Sequence, residues 1–263
     1  MGETASERVV VLGAGRVATH LVPALAEAGY EVAQVWSRTE VAARQLAQPL
    51  GMAYTDDLDA VVTDADIYLA CVADGALAEV AAQMVARVGE RPLFLHTAGS
   101  VSMEVWSGAG AVHYGILYPL QTFSKERAVD MREVSLFVEA SDEEALRQTE
   151  TMARRLSGRV LRADSERRAR LHIAAVFACN FTNAMYGAAH ALLARDGIPF
   201  EVLLPLIDET AAKVHKLTPC EAQTGPAVRG DTDVMQRHWE ALAEEKDLQH
   251  IYEVMCRLIR NKA

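Results

Sequence analysis

The chain has 263 residues, of which 51% are hydrophobic, and a formal net charge of −10. This length provides apolar material for one large domain or two smaller ones. Because the balance is acidic and no block of lysines and arginines occurs, we expect neither nucleic acid nor a membrane as a partner.

The first element is a β-branched run that ends in a glycine-rich turn. Residues 8–18 read Arg-Val-Val-Val-Leu-Gly-Ala-Gly-Arg-Val-Ala, and a helical pattern follows at once. A strand, a Gly-x-Gly-x-x-Ala turn and a helix are the context of a dinucleotide fingerprint. The alternative is a sheet whose glycines only make a turn. The residues predicted to bind the cofactor diphosphate are Gly13, Ala14, Gly15, Arg16 and Val17.

Strands and helices then alternate up to residue 161. We predict strands over 9–12, 31–36, 52–54, 66–72, 93–97, 111–113, 135–139 and 159–161, and helices over 17–28, 40–50, 76–88 and from Ser141 or Asp142 to 156. Such alternation predicts an α/β fold, a doubly wound and mostly parallel sheet covered on both faces. We place the end of this dinucleotide-binding Rossmann domain at residue 163.

The end of the second strand indicates which nicotinamide cofactor fits. A chain selective for NAD usually carries a carboxylate there, which bonds the ribose 2′-hydroxyl. Here Ser37, Arg38 and Thr39 supply a cation and two hydroxyls instead, as a 2′-phosphate requires. We therefore predict NADP, although Arg38 alone is also compatible with a solvated helix start.

Two further loops follow strands four and five. In an open α/β sheet, ligands lie beyond the carboxyl ends of the strands, where the strand order reverses. Asp74 has the alternative role of a helix N-cap, and His96 that of a core histidine. The residues predicted to border the nicotinamide are Val72, Ala73, Ala98 and Gly99.

Residues 113–123 are mostly uncharged and follow a short predicted strand, so we interpret them as a loop covered by a second domain. His113 is the only side chain in this loop that titrates near neutral pH. It is predicted to bind substrate or relay a proton, with packing between domains as the structural alternative.

No convincing strand follows residue 164. We predict an all-helical substrate and dimerisation domain over 164–263, with helices from Asp164 or Ser165 to 195 and over 200–217, 231–245 and 248–259. Residues 171–194 carry no formal charge but contain several polar side chains, so we interpret them as a helix buried on most sides in a soluble bundle. This helix is too apolar for a small domain to cover alone, which predicts a homodimer.

The long helix carries the best catalytic candidates. On a regular α-helix, polar side chains at His172, Cys179, Asn180 and Asn183 fall on one face. Reduction of a carbonyl or imine needs a proton source and a group that holds the oxygen or nitrogen. We predict His172 as the proton source, Asn180 as a second catalytic residue and Asn183 as a substrate ligand. A buried polar network and a dimer contact are the structural alternatives.

A stretch rich in Gly and Pro, residues 224–231, places Arg229 between helices. Arginine in a rigid loop suits bidentate binding of a carboxylate or phosphate, so Arg229 is predicted either to bind the substrate anion or to form an interdomain ion pair. Asp231 is expected to cap the next helix. No spacing of Cys and His ligands predicts a metal.

The chain resembles a known family in five motifs. It is similar to bacterial Rossmann-like proteins with a helical C-terminal domain of unknown function, often labelled NADP oxidoreductases. More distantly it resembles pyrroline-5-carboxylate reductase and the β-hydroxyacid dehydrogenases, which implies a nicotinamide cofactor, a dimeric helical domain and an active site between domains. The motifs are residues 10–18, 96–100, 118–123, 172–181 and 224–231.

One motif departs from the dehydrogenases. Those enzymes carry a lysine on the catalytic helix and an asparagine four residues later. Here His172 falls near the place of the lysine, Val176 replaces that asparagine, and Asn180 comes one turn later. This departure puts the hydroxyacid dehydrogenase reaction in doubt.

Together these patterns predict an NADP-dependent oxidoreductase that acts on a small anionic carbonyl, imine or hydroxy compound. A non-catalytic NADP-binding sensor or scaffold is the alternative, favoured by the missing lysine and asparagine. Residues 1–7 are polar and short, and the four cysteines are scattered, so we expect no signal peptide and a cytoplasmic location.

Overall fold

The β-branched run at residues 9–11 forms the first strand of an eight-stranded sheet in the computed structural model, which describes residues 6–261. The expected absence of a signal peptide concerns residues 1–7, and residues 1–5 of these lie outside the described range. In chain order the strands are β1 (Arg8–Leu12), β2 (Glu31–Trp36), β3 (Ala53–Thr55), β4 (Ile67–Ala70), β5 (Leu93–His96), β6 (His113–Leu120), β7 (Ser135–Ala140) and β8 (Arg159–Arg162).

The sheet has the order β3-β2-β1-β4-β5-β6-β7-β8. Strands β1 to β6 run parallel, β7 is antiparallel to β6, and β8 is parallel to β7. The chain reverses its direction of travel across the sheet between β1 and β4. This arrangement confirms the predicted doubly wound Rossmann fold, and it puts the ligand-binding crevice at the carboxyl ends of β1 and β4.

Helices cover both faces of the sheet. Val9 and Val11 belong to one apolar cluster and Val10 and Leu12 to another, because successive side chains of a strand point to opposite faces. Both faces of β1 are therefore buried, as in a doubly wound sheet. The helices of this part are α1 (Arg16–Glu27), α2 (Glu40–Ala47), α3 (Asp74–Val88), α4 (Glu104–Gly108) and α5 (Glu143–Leu156).

The sixth strand differs from the prediction. Residues 113–120 are not a loop: they form β6, which pairs with β5 as far as Ile116 and with β7 from Gly115 to Leu120. The loop was expected from the uncharged composition of this stretch, which a buried strand shares. Pro119 lies within β6, although proline is rare inside strands. It is tolerated here because β5 no longer pairs with β6 beyond Ile116.

The remaining part of the chain is helical, and the described strands all precede it. The predicted long helix over 165–195 is divided by a π-helical segment at Val176–Phe181. The helix predicted over 200–217 is shorter, and begins with a 3-10 turn at Phe200–Leu203. The helices are α6 (Ser165–Ala175), α7 (Thr182–Ala194), α8 (Leu204–Lys213), α9 (Pro226–Arg229), α10 (Thr232–Ala241) and α11 (Lys246–Arg260).

The predicted burial of residues 171–194 was wrong for the single chain. No residue of the π-helical segment or of α7 is buried, and Phe177 is 61% exposed. The segment is apolar, but the rest of the chain does not cover it. Within the described residues, no helix is both long and apolar enough to cross a lipid bilayer.

Packing divides the chain into two compact units, Met1–Cys179 and Asn180–Ala263. A unit defined by packing differs from a functional domain, so the domain limits at residues 163 and 164 stay a prediction. The three apolar clusters of buried residues all lie in the first unit.

Candidate functional site

The turn between β1 and α1 contains two glycines that are needed for different reasons. Gly13 has a φ of 120°, and a Cβ there would lie 2.5 Å from the carbonyl oxygen of Cys71. The fold itself therefore requires a glycine at this position. Gly15 has an ordinary φ of −82°, and the nearest atom to a Cβ there would be 3.8 Å away. The chain does not need a glycine at 15, but a ligand that approaches the backbone would.

The first turn of α1 is open to an anion. Gly15 occupies the N-cap position without a capping side chain, and no acidic residue lies in the first turn. The backbone N–H groups at this end have no intrahelical acceptor, and the helix dipole is positive there. A dinucleotide diphosphate fits this turn in charge, in hydrogen bonding and in the space left by Gly15.

The residues predicted to hold a 2′-phosphate lie beside this turn. The N–H of Gly13 donates to the carbonyl of Trp36, the last residue of β2, at 2.7 Å. Ser37 is half-buried, whereas Arg38 and Thr39 are exposed. Among residues 6–261, Arg38 has no carboxylate partner, and Thr39 starts α2 without a side-chain capping bond. These groups remain available to a phosphate.

The loops after β4 and β5 are joined to each other. The Oγ of Ser100 donates to the carboxylate of Asp74, which is the first residue of α3. Asp74 therefore does not act as the N-cap, a position that Ala73 occupies. Val72, Ala73 and Ala98 are at least partly exposed beside this contact, while Gly99 is buried. Four small or apolar residues thus line the carboxyl edge next to the switch point.

A tyrosine and a histidine meet at the same edge of the sheet. Tyr118 lies in β6, two residues beyond the last pair with β5, and its hydroxyl is 3.1 Å from Nδ1 of His172 on α6. The two rings pack edge to face, with centroids 6.2 Å apart. Tyr118 is only 8% exposed, and burial raises the pKa of its phenol. The phenol therefore remains protonated at neutral pH.

Gly99 lies directly against this pair. A Cβ at residue 99 would be 2.7 Å from Cζ of Tyr118 and 2.8 Å from Nδ1 of His172. These separations are shorter than van der Waals contact, so any larger residue would force the two side chains apart. Gly99 in the loop after β5 thus leaves space for the contact between Tyr118 of β6 and His172 of α6.

Arg168 fixes α6 one helical turn before His172. Its guanidinium is 1% exposed, lies 2.5 Å from the carboxylate of Glu139 on β7, and donates to the carbonyl of Val101 in the loop after β5. A buried ion pair of this kind constrains geometry more than it adds stability. It holds α6 against both β7 and the loop that carries Gly99.

His96 is a core residue. It is fully buried at the end of β5, and its Nδ1 accepts the N–H of Ala98 at 3.1 Å. Burial lowers the pKa of His96 to about 4, and the charge of Arg168 acts in the same direction. His96 is therefore neutral at physiological pH, which favours the structural alternative over a role in proton transfer.

His113 lies away from the other candidates of the first unit. It pairs with Leu93 at the start of β5, so it lies at the amino edge of the parallel strands, opposite the ligand-binding edge. Its Nδ1 is 3.1 Å from the carboxylate of Asp142, the N-cap of α5. This placement favours a structural role for His113 over contact with substrate.

The other predicted site residues belong to the second unit. Asn180 and Asn183 are exposed, and the α-helical spacing behind their predicted alignment with His172 does not hold across the π-helical segment at Val176–Phe181. Arg229 is the last residue of the short helix α9 and not part of a loop as predicted; it is exposed and pairs with Asp231 at 3.1 Å. Asp231 begins α10 as predicted, but its side chain accepts from Arg229 and makes no capping bond.

Two residues of the site carried no predicted role. Tyr118 stands in a motif of the family resemblance, but the loop interpretation of 113–123 hid its position at a strand end. Arg168 precedes His172 by one helical turn, a spacing that places both on one face. That spacing was the signal that could have revealed Arg168.

Two protein families match the sequence. The family described as NADP oxidoreductase coenzyme F420-dependent matches residues 8–95, and the domain of unknown function DUF2520 matches residues 134–259. No functionally curated protein matches the chain.

Several crystal structures share the fold. One is described as a "putative NADP oxidoreductase" from Bacteroides fragilis; it is 48% identical, has a TM-score of 0.91, and the match covers 97% of this chain and 98% of that chain. An imine reductase from Myxococcus stipitatus in complex with NADP+ is 20% identical, with a TM-score of 0.66 and coverage of 97% and 93%. A pyrroline-5-carboxylate reductase from Coxiella burnetii is 17% identical, with a TM-score of 0.58 and coverage of 98% and 97%. At these two lower identities the likeness shows the fold alone.

Proposed function

This chain belongs to the NADP oxidoreductase family of the Bacteroides fragilis protein, and from that premise we propose that it transfers a hydride between NADP and a small anionic carbonyl, imine or hydroxy compound. One observation carries the proposal. The open first turn of α1 and the Tyr118–His172 pair lie at the same carboxyl edge of one sheet. They are three strands apart, roughly 14 Å at the usual strand spacing, a distance that an extended dinucleotide can span.

Different residues of the first unit would bind different parts of the cofactor. The backbone N–H groups of residues 13–17 would bind the diphosphate, and Ser37, Arg38 and Thr39 the 2′-phosphate. Val72, Ala73, Ala98 and Gly99 would border the nicotinamide. The cofactor supplies or accepts the hydride when it is bound. Arg38 favours the phosphorylated cofactor because a guanidinium can bind phosphate with two hydrogen bonds.

The protein must supply the proton that accompanies the hydride. His172 is the proposed proton source, because a nitrogen of its imidazole can donate a proton and the side chain is half-exposed at the ligand-binding edge. Asn180 is proposed to hold the reacting oxygen or nitrogen, with Asn183 and Arg229 as ligands of the substrate and its anionic group. Their exposed side chains are compatible with these roles.

The imine is the substrate class to test first. The structural relatives include an imine reductase and a reductive aminase, which act on carbon–nitrogen bonds. A carbon–nitrogen double bond requires a hydride and, unless it is already an iminium ion, one proton. The site as described offers His172 as a proton donor, which suffices for that requirement.

We also propose that the helical part forms a homodimer. Within residues 180–261, only Ala227 and Gln249 are buried, whereas large apolar side chains such as Val202 and Leu206 are more than half exposed. A second copy that presents the same surface would remove this apolar area from water.

Titration with NADPH followed by a substrate panel tests the proposed function. The purified protein is titrated with NADPH, and keto acids and cyclic imines are then added while the absorbance of the reduced cofactor is followed. We expect tight binding and turnover of at least one compound. Turnover should be lost in His172→Ala and Asn180→Ala with unchanged NADPH affinity, and His250→Ala, an exposed histidine on α11, is the matched control. Binding without turnover across the panel would favour the sensor or scaffold.

A further inference from the structure

We infer that Tyr118 is a positioning residue that holds His172 in the tautomer with its proton on Nε2, and that Gly99 provides the space for this contact. The inference deepens the proposed function, since it concerns the proposed proton source. It rests on three features of the first unit. These are the hydrogen bond between Tyr118 and His172, the burial of the Tyr118 phenol, and a glycine at position 99 that the backbone conformation does not require.

The direction of the hydrogen bond is assigned from the chemistry of its two groups. Burial keeps the phenol of Tyr118 protonated, and a phenol is a better hydrogen-bond donor than acceptor, so its O–H is assigned as the donor to Nδ1 in the resting neutral state of His172. A neutral imidazole that accepts at Nδ1 carries its hydrogen on Nε2. The phenol oxygen can also accept from Nδ1–H when His172 is charged. Transfer of the Nε2 proton from a charged His172 leaves the ring neutral with its hydrogen on Nδ1, still donating to the phenol oxygen. Uptake of a proton at Nε2 and loss of the one on Nδ1 then restore the resting tautomer.

Among the residues that the structure describes, the ring of His172 has no second hydrogen-bond partner that would fix its tautomer. Within residues 6–261, the hydroxyl of Tyr118 is the hydrogen-bond partner of the imidazole, so Nε2 remains free for a ligand. The helix that carries His172 is fixed separately, by the contacts of Arg168 with Glu139 and Val101. Arg168 thus positions the backbone of α6, and Tyr118 determines which nitrogen of His172 carries the hydrogen.

The glycine at position 99 is explained by the same pair. Gly99 is not among the glycines with positive φ, so backbone conformation does not require it. A Cβ there would instead collide with Cζ of Tyr118 and Nδ1 of His172, at 2.7 and 2.8 Å. Gly108 offers a contrast, because its φ is ordinary and a Cβ there would meet no atom within 4 Å.

The consequence for chemistry is a donor of fixed orientation. A neutral His172 with a hydrogen on Nε2 can bond the lone pair of a carbonyl oxygen or an imine nitrogen. The tautomer with Nδ1–H would present a lone pair to the substrate instead and could not donate. Holding the correct tautomer is a recognised way in which a neighbouring group supports a catalytic histidine.

The test is nitrogen NMR of the ligand-free protein labelled with ¹⁵N-histidine, at alkaline pH where imidazoles are neutral. The His172 resonances are assigned from their absence in His172→Gln. In the wild type we expect Nδ1 at the position of an unprotonated nitrogen and Nε2 at that of a protonated one. In Tyr118→Phe the preference should fall by roughly tenfold, the usual effect of one lost hydrogen bond.

Gly99→Ala provides the second variant. It should cause the same change in the His172 resonances through steric displacement, while Gly108→Ala should leave them unchanged. As a functional readout, Tyr118→Phe should lower kcat by roughly tenfold and leave the Kd for NADPH within about twofold.

Two results would overturn the inference: a wild-type His172 that carries its hydrogen on Nδ1 or divides it evenly, or an unchanged His172 spectrum in Tyr118→Phe and Gly99→Ala. Because the spectra are recorded without cofactor or substrate, they can succeed even where NADPH does not bind. A failure of the proposed function is thus distinguishable from a failure of this inference.

Discussion

The two compact units of the chain differ in how much of their apolar surface they bury. Residues 6–179 form three clusters of buried side chains around an eight-stranded sheet, whereas residues 180–261 bury only Ala227 and Gln249. The first unit has a buried hydrophobic core. The second unit exposes large apolar side chains such as Leu206. The described residues thus cover the apolar side chains of the first unit but not those of the second.

The largest effect is expected from a charge in the second unit. Leu206 is 63% exposed on α8. In a two-fold dimer Leu206→Glu removes two buried leucines, about 3–6 kcal/mol, which raises the dissociation constant on the order of 10²–10⁴-fold. Sedimentation velocity at micromolar concentration should show a dimer for the wild type and a monomer for the variant.

The first unit offers the control for that experiment. Leu50 is 42% exposed, and Leu50→Glu should leave the oligomeric state unchanged. A monomeric wild type, or dissociation of the dimer by both substitutions, would contradict the contrast between the two units.

Substitutions of the two glycines in the β1–α1 turn compare a position required by the fold with one required by the ligand. Gly13→Ala should destabilise the fold by about 2–3 kcal/mol, since it adds a positive-φ side chain next to Cys71. Gly15→Ala should leave the thermal midpoint nearly unchanged but weaken NADPH binding at least about tenfold, because only the ligand needs that space. Thermal unfolding and calorimetric titration of both variants separate the effects. Equal behaviour of the two would contradict the division of roles.

The sequence predicted the first unit well because its signals are local. The runs around Val10 and Leu95 are apolar, are bounded by turn residues, and need no distant information. The strand at Tyr118 was missed because an uncharged sequence fits a covered loop as well as a buried strand, and the contact of Tyr118 with His172 joins residues 54 positions apart. The pair of Arg168 and Glu139 likewise spans 29 positions. Long-range contacts of this kind leave no periodic pattern in a single sequence.

The second unit was predicted less well for a different reason. Its helices were expected from apolar periodicity, but periodicity does not tell whether an apolar face packs within the chain or against another chain. The π-helical segment at Val176–Phe181 also breaks the spacing on which the alignment of Asn180 with His172 depended. The sequence thus indicated which residues are apolar but not which surface covers them.

A smaller effect is expected at the 2′-phosphate site. Arg38→Ala should weaken NADPH binding about tenfold to thirtyfold, as for the loss of a charged hydrogen-bond donor, and should leave NADH binding almost unchanged. Fluorescence titration with both cofactors measures the ratio. Equal losses for NADPH and NADH would place the 2′-phosphate elsewhere.

The smallest effect concerns the N-cap of α5, a helix of the first unit. The carboxylate of Asp142 accepts the N–H groups of Glu144 and Ala145 at the start of α5, and chiefly this backbone bonding lowers its pKa to about 2, with a contribution from His113. Asp142→Ala should therefore cost about 1 kcal/mol at neutral pH.

The sign of its pH dependence follows from that lowered pKa. A carboxyl group whose pKa is lower in the folded state stabilises the fold above its ordinary pKa, and this stabilisation is lost as the pH falls towards about 2. Urea unfolding of the wild type and Asp142→Ala should show a difference at neutral pH that shrinks between about pH 4 and pH 2. A difference that does not change with pH would contradict the role of the charged cap.

The most direct test of the whole account is a crystal structure of the protein grown with NADP+. We predict the diphosphate on the backbone N–H groups at the start of α1, next to Gly15, with the 2′-phosphate against Arg38 and the nicotinamide beside Gly99. A first turn of α1 that stays empty in the presence of bound NADP+, or that is filled by the protein's own side chains, would contradict the account.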